Sequence, residues 1–499
     1  MRLPSRAPYR RWLAAWLLVP FMGSHAAAQV APPLTLASDP AVLAKAALGA
    51  ERGTLVVGTL RNGQAAYGAA YNPQPQTPQT PPRALAAASA EQPMFEIGSV
   101  TKVFTGLLLA QAVERGDLKL DDSVGKLLAG QAEAHAGSLP GAVASVTLRQ
   151  LVTHTGCLPV MADGVTGGAP LVAQFRSVDK PMFWAALARI RLTAAAPPCE
   201  AAYSNFGMAL LGQLLAVHYG TSWGELVRAR ITEPLGMNDT VVPLGDKASR
   251  MAPAFAGERR QPLLDMQAYA PASALRSTAA DMLTFSRAIL AGKDGPLGPA
   301  AARMLTPLAR YEGAEIGYAV MVRGQDGGEG VQGVQGVQGA RRTYWHAGLT
   351  EGYRTLWLLA PDTGEALIVL ASNARAPLQP LMLAIGKSRY PVATTEVPID
   401  PARLGDYKGE FRVGKARALV FTVRGGRLLV REAGRGDNTL TPTGPDRFAV
   451  TAIGAQLAFR RDARNAVVGV TLAQGGSQLD ARRVGEPAAV SQEQQEQPE

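Results

Sequence analysis

The tetrapeptide Ser99-Val100-Thr101-Lys102 opens a long apolar run, Val103-Phe104-Thr105-Gly106-Leu107-Leu108-Leu109-Ala110, and this constrains the chain more than any other feature. Residues three apart on a helix share a face, so the lysine amine can lie beside the serine hydroxyl. An unpaired lysine on a buried helix costs several kcal/mol and needs a chemical reason. Burial lowers its pKa, and a neutral amine next to a serine can take the proton that makes the hydroxyl a nucleophile. The segment therefore predicts a buried helix whose first turn carries a Ser/Lys pair, capped near Gly116.

Spacing alone does not select this pair. Ser123-Val124-Gly125-Lys126 and Ser177-Val178-Asp179-Lys180 have it too. Both lack the apolar run, and Asp121, Asp122 and Asp179 mark their surroundings as solvated surface.

Tyr203-Ser204-Asn205, before the apolar helical stretch 206–217, adds a phenol and an amide. A tyrosine near a lysine ammonium ionises more easily and can serve as a base, and an asparagine amide can hold a substrate carbonyl. Four segments match H-x-G: His135-Ala136-Gly137, His154-Thr155-Gly156, His218-Tyr219-Gly220 and His346-Ala347-Gly348. Only His346 is flanked by expected strands, and a strand edge offers backbone N–H groups to an oxyanion. His346 is the one favoured, with His154 set aside.

The chain has 499 residues, 47% hydrophobic and 18% charged, enough for a large core and two or three domains. Arg2, Arg6, Arg10 and Arg11, the apolar residues 12–21 and Ala26-Ala27-Ala28 read as a signal peptide over residues 1–28. No cysteine follows that cleavage site to carry a lipid, and no later stretch is long enough to span a bilayer. The expected location is periplasmic or secreted. Those four arginines account for part of the net +10, leaving about +6 on residues 29–499. No basic stripe with interleaved aromatics occurs, so no nucleic-acid partner is expected. Five histidines and two cysteines with no H-E-x-x-H give no readable metal site, and no cofactor is expected.

The layout is α+β. Residues 53–60 and 63–70 read as a strand pair joined through Arg61-Asn62-Gly63, and 72–83 as a Pro/Gln/Thr-rich loop. Residues from about 105 to 290 read mainly as helices, then 318–322, 355–359 and 366–371 as strands completing an antiparallel sheet. Val-Gln-Gly repeats three times in 331–339. A linker near 391–400 leads to short strands at 404–411, 418–423, 427–431, 448–450, 457–461 and 467–472, the pattern of a small β-barrel over 401–485. Residues 486–499 read as a disordered polar tail.

Ser99/Lys102, Tyr203/Asn205 and His346/Gly348, in that order, resemble the serine β-lactamase-like superfamily of class C β-lactamases, DD-peptidases and carboxylesterases. The likeness covers about residues 40–385, with support from 151–155, 233–237 and 275–282. It implies a hydrolase domain over 29–390, an antiparallel sheet flanked by helices plus a largely helical part, with the active site between them. The tail resembles an appended lipocalin-like domain. Carried over, Ser99 forms an acyl-enzyme, Lys102 and Tyr203 share proton transfer, and Asn205 holds the substrate. The N–H groups of Ser99 and Leu349 form the oxyanion hole. Class C β-lactamases usually have K-T-G where this chain has His346-Ala347-Gly348; histidine near neutral pH supplies a cation only partly.

The implied substrate is a small molecule or peptide: a peptidoglycan-type D-peptide recognised also by penicillins, with a β-lactam or an ester as alternatives. A non-catalytic wall-binding protein on the same scaffold is the alternative of another class. Cys157 and Cys199, the only cysteines, are expected to form a disulfide beside this site in an oxidising compartment. Closing about 40 residues is worth about 4 kcal/mol on the chain-entropy account.

Overall fold

A computed structural model describes residues 38–73, 83–85, 93–131, 139–162, 175–194, 196–311, 314–323, 342–378, 381, 396–413, 417–432, 438–450, 455–474 and 477–484. The expected signal peptide over residues 1–28, most of the 72–83 loop, His135-Ala136-Gly137, the Val-Gln-Gly repeat, the first half of the 391–400 linker and residues 486–499 lie outside the described residues.

The first sheet has nine strands: β1 (Gly53–Arg61), β2 (Gln64–Asn72), β3 (Arg83–Leu85), β4 (Ala309–Tyr311), β5 (Ala314–Ile316), β6 (Met321–Arg323), β7 (Thr343–Leu349), β8 (Arg354–Ala360) and β9 (Glu365–Ala371). Their order is β3-β2-β1-β9-β8-β7-β6-β5-β4, with antiparallel neighbours. N- and C-terminal segments thus meet at β1/β9, in the register Val57↔Val369. Asn62 and Gly63, with φ of 49° and 74°, make the two-residue turn that joins β1 to β2.

Strands β1, β8 and β9 are nearly continuous apolar runs because both faces are covered. Leu55, Val57, Leu356, Leu358, Leu367 and Val369 pack with Leu43, Ala44, Ala47 and Leu48 of helix α1 (Pro40–Leu48). The alternate residues Val56, Leu60, Trp357, Leu359, Ile368 and Leu370 enter the larger core on the other face. There the Trp357 indole donates to Ser286 Oγ at 2.9 Å.

Between β3 and β4 the chain builds the helices α2 (Thr101–Glu114), α3 (Val124–Leu128), α4 (Leu148–Val152), α5 (Lys180–Leu187), α6 (Asn205–Tyr219) and α7 (Ala279–Leu290), with shorter turns. Every residue of α2 from Thr101 to Ala112 is buried, as its all-round apolar sequence requires. It ends at Gly116, whose φ is 75°. The other two S-x-x-K segments sit at helix starts. Ser123 Oγ caps α3 by accepting from Lys126 N, and Asp179 caps α5 by accepting from Met182 N.

A second antiparallel sheet follows: β10 (Gly409–Val413), β11 (Arg417–Arg424), β12 (Arg427–Glu432), β13 (Asn438–Thr439), β14 (Thr441–Gly444), β15 (Arg447–Val450), β16 (Ala455–Arg461), β17 (Val467–Gln474) and β18 (Ser477–Arg483). Their order is β13-β12-β11-β10-β18-β17-β16-β15-β14, so β10 pairs with β18 at the centre of a barrel-like sheet. Phe459 is the hub of its core, with ring centroids 5.1 Å from Phe421 and 4.7 Å from Tyr407.

Three elements differ from expectation. Residues 318–322 turn before the strand begins, because Ala319 has φ 55° and Gly317 N donates to Val320 O; β6 starts at Met321. Residues 401–407 form a 3-10 helix capped by Asp400 rather than the start of a strand. Strand β18 was not foreseen, since Ser-Gln-Leu-Asp-Ala-Arg-Arg has just two apolar residues, Leu479 and Ala481, which pack in the core.

Candidate active site

Ser99 lies in a single 3-10 turn, Gly98–Val100, that leads directly into α2, and Lys102 follows one turn later. The α2 side chains tie this start to residues 271–275. Leu275 N donates to Thr101 Oγ1, Lys102 Nζ to Ala272 O at 2.8 Å, and Thr105 Oγ1 to Pro271 O at 2.8 Å. Lys102 is fully buried, and its amine has three partners: Ala272 O, Asn205 Oδ1 at 2.8 Å and Ser99 Oγ at 3.0 Å. Burial holds its pKa well below the ordinary 10.5. The carbonyl and the amide oxygen only accept, so they take two amine hydrogens. The third direction points at Ser99, where the ammonium can donate or the free amine can accept.

Tyr203 and Asn205 stand at the N-terminus of α6, which Ser204 caps by accepting from Gly207 N at 2.8 Å. The Tyr203 ring lies 4.8 Å from Lys102 Nζ, and its hydroxyl shares a hydrogen bond with the Ser99 side chain. Burial pushes the phenol above its ordinary 10, and the nearby Tyr311 adds to this, against the lowering effect of the Ser99 contact. The expectation of an easily ionised tyrosine is therefore corrected. Burial dominates its environment, and Tyr203 stands as a protonated phenol.

His346 lies in β7, as its strand setting predicted, and is 3% exposed. Its ring centroid is 6.5 Å from that of Tyr203. Nδ1 is 2.7 Å from the Ala347 carbonyl, which can only accept, so Nδ1 carries the proton and Nε2 the lone pair. Nε2 is buried with no partner among the described residues. Burial, helped by Lys102, moves its pKa down to about 3. The partial cation expected of His346 is thus replaced by a neutral acceptor.

Gly348 sets how closely β7 approaches the Ser99 turn. A Cβ there would fall 2.1 Å from Ile97 O, and one on Gly98 (φ 52°) would fall 2.8 Å from Leu349 N. The two glycines thereby bring the Leu349 amide alongside the Ser99 turn, while the Leu349 side chain remains 61% exposed. Upstream, buried Glu96 accepts from Leu264 N at 2.6 Å and faces Arg276 at 3.6 Å, fixing the entry to that turn.

Cys157 and Cys199 are bonded, with Cα atoms 5.4 Å apart. The bridge joins two segments already zipped together. Cys199 N donates to Thr155 O, Ala202 N to His154 O, and Asn205 N and Phe206 N to Val160 O. Here His154, set aside as a poor H-x-G, enters the site. It is 3% exposed, and its ring centroid is 4.7 Å from that of Tyr203. Gly98 and His154 are the residues that sequence reasoning missed. The pairing of Cys157 with Cys199 carried a signal for the second, because each cysteine lies within four residues of His154 or Tyr203.

Among the described residues no cluster of three or more His, Cys, Asp or Glu could hold a metal ion, and no helix is long and apolar enough to cross a membrane. The arrangement can activate a serine hydroxyl beside a buried amine and receive an oxyanion on backbone N–H groups.

Penicillin-binding protein 4 of Amycolatopsis lactamdurans is 29% identical over 232 residues, 45% of this chain and 57% of that protein. The D-alanyl-D-alanine-carboxypeptidase/endopeptidase AmpH of Escherichia coli (strain K12) is 31% identical over 198 residues, 40% of this chain and 49% of that protein. The chain thus spans about half the length of the curated relatives it matches. Among solved structures, the octameric penicillin-binding protein homologue from Pyrococcus abyssi is 20% identical with a TM-score of 0.52. That likeness covers 86% of this chain and 96% of the other, and it shows shared fold alone. Residues 43–382, which run from α1 past β9 and hold Ser99, Lys102, Tyr203 and His346, match the Beta-lactamase family, and the chain belongs to that family of serine hydrolases.

Proposed function

We propose that the chain is an exported serine hydrolase that works through an acyl-enzyme on amide bonds of D-amino-acid peptides of the peptidoglycan type, and that it is recognised by penicillins. The buried Lys102 amine, with Ser99 Oγ at 3.0 Å as the one of its three hydrogen-bond partners able to give it a proton, carries this reading. Ser99 Oγ bonds to the carbonyl carbon as its proton passes to Lys102. The Ser99 and Leu349 N–H groups receive the oxyanion, and the Asn205 amide nitrogen, free of the Lys102 contact, faces the substrate carbonyl. Collapse expels the amine with a proton from Tyr203, which Lys102 refills, and water then cleaves the ester by the reverse route.

The name of AmpH, a D-alanyl-D-alanine-carboxypeptidase/endopeptidase, supports a D-peptide substrate, and that of penicillin-binding protein 4 supports recognition by penicillins. A neutral His346 favours a bond followed by a further N–H over one followed by a free carboxylate, since the uncharged imidazole is not a cation. The same observation, with the exposed Leu349 side chain, supports carboxylesterase activity as a second reading. An N-acyl-D-Ala-D-Ala peptide, its C-terminal amide, nitrocefin and a p-nitrophenyl ester distinguish these. The proposal expects hydrolysis of the peptides, the amide at least as fast as the acid, with slow nitrocefin turnover. Hydrolysis of the ester alone would favour the second reading, and no turnover of any would favour a wall-binding role.

A further inference from the structure

His154 grips the backbone on both sides of Tyr203. Its carbonyl accepts the N–H of Ala202 at 2.9 Å, and its ring Nδ1 accepts the N–H of Ser204 at 3.2 Å. The imidazole also lies against the phenol ring, tilted 40° at 4.7 Å. To do all three, His154 takes a left-handed φ of 61°, a conformation unfavourable to most side chains. Because a backbone N–H only donates, Nδ1 holds the lone pair and Nε2 the proton, and that Nε2 is buried without a partner among the described residues. A second ring proton would face the Ser204 N–H with nothing to accept it. The titratable groups around the ring, Lys102, His346, Tyr203 and Tyr311, offer no carboxylate to stabilise such a charge.

We propose that His154 is a positioning residue for Tyr203: its carbonyl and Nδ1 fix the backbone on either side of the tyrosine, and its ring sets the phenol against Ser99 and Lys102. This rests on the reading of Tyr203 as the proton relay. The Thr153–Cys157 turn, anchored by α4 and by the disulfide, then acts as the rigid support of the phenol.

The test compares His154→Leu, which keeps bulk but has no acceptor, with His154→Asn. Asparagine places Oδ1 where Nδ1 stands and tolerates the left-handed backbone. Displacing a reacting group by about 1 Å is worth about 10²-fold in rate. His154→Leu is therefore expected to lower kcat by that order with KM little changed, and His154→Asn to restore most of it. Fluorine NMR of full-length protein labelled with 3-fluorotyrosine gives a readout that needs no turnover. The Tyr203 line, identified by its loss in Tyr203→Phe, should be single in the wild type and His154→Asn, and broadened or split in His154→Leu. Wild-type kcat and an unmoved line in His154→Leu would overturn the proposal, as would equal losses in the two variants. If Tyr203→Phe keeps full activity while His154→Leu broadens the line, the relay reading fails and the positioning stands.

Discussion

Lys102 and Tyr203 act on one proton in this account, so their losses overlap. Lys102→Ala and Tyr203→Phe are each expected to remove most turnover, and the double variant to lose little more than the worse single. Steady-state kcat/KM for the four proteins checks this; a double loss equal to the product of the singles would assign them to separate steps. His346 bears on specificity. With a neutral acceptor there, His346→Lys should move preference toward a substrate with a carboxylate beside the scissile bond, raising the acid-to-amide ratio of kcat/KM by about tenfold, one charge-assisted contact's worth. An unchanged ratio would remove His346 from that subsite. The Ser/Lys pair was legible in the sequence because a lysine in an apolar helix is costly without a use. The charge states were not, because they depend on burial and on which atoms accept: Ala272 O for Lys102, and Ala347 O for His346.

At the scale of elements, the site is a close approach of β7 to the turn before α2. Gly348→Ala places a methyl 2.1 Å from Ile97 O, a backbone atom that cannot swing aside. Displacing β7 would carry the Leu349 N–H away from the Ser99 turn. Acylation is expected to slow by about 10²-fold, the usual loss for an oxyanion donor, and the fold to lose about 1–3 kcal/mol from overpacking. Stopped-flow acylation and urea unfolding read the two effects separately, and a wild-type acylation rate would contradict the role given to this approach. Periodicity made β1, β2, β8, β9, α2 and α6 legible, because each carries a long apolar pattern. Strand β18 and the 401–407 turn were not, since one is polar and the other is set by the Asp400 cap.

For the whole molecule, the buried histidines make stability depend on pH. His346 has its native pKa near 3, below the ordinary 6.5, so the unfolded chain takes up a proton that the native state refuses. The stability is full above pH 6.5 and falls as pH drops toward 3, by up to about 1.4 kcal/mol per pH unit. His346→Gln should remove that slope between pH 6 and 4 relative to wild type, read from urea midpoints; parallel curves would mean that native His346 is already protonated. The overall plan, an interrupted antiparallel sheet followed by a barrel-like sheet, was legible from strand spacing and from the resemblance together. The route by which 153–160 wraps 199–206 was not, because those contacts are mostly backbone N–H to carbonyl and leave no side-chain pattern.

The central claim is that Ser99, of the three serines in S-x-x-K spacing, is the nucleophile. Incubating the protein with a fluorescent penicillin or a fluorophosphonate, then mapping the adduct by peptide mass spectrometry, tests it most directly. The account predicts one adduct, on Ser99, absent in Ser99→Ala. Label on Ser123 or Ser177, or label that persists in Ser99→Ala, would contradict it.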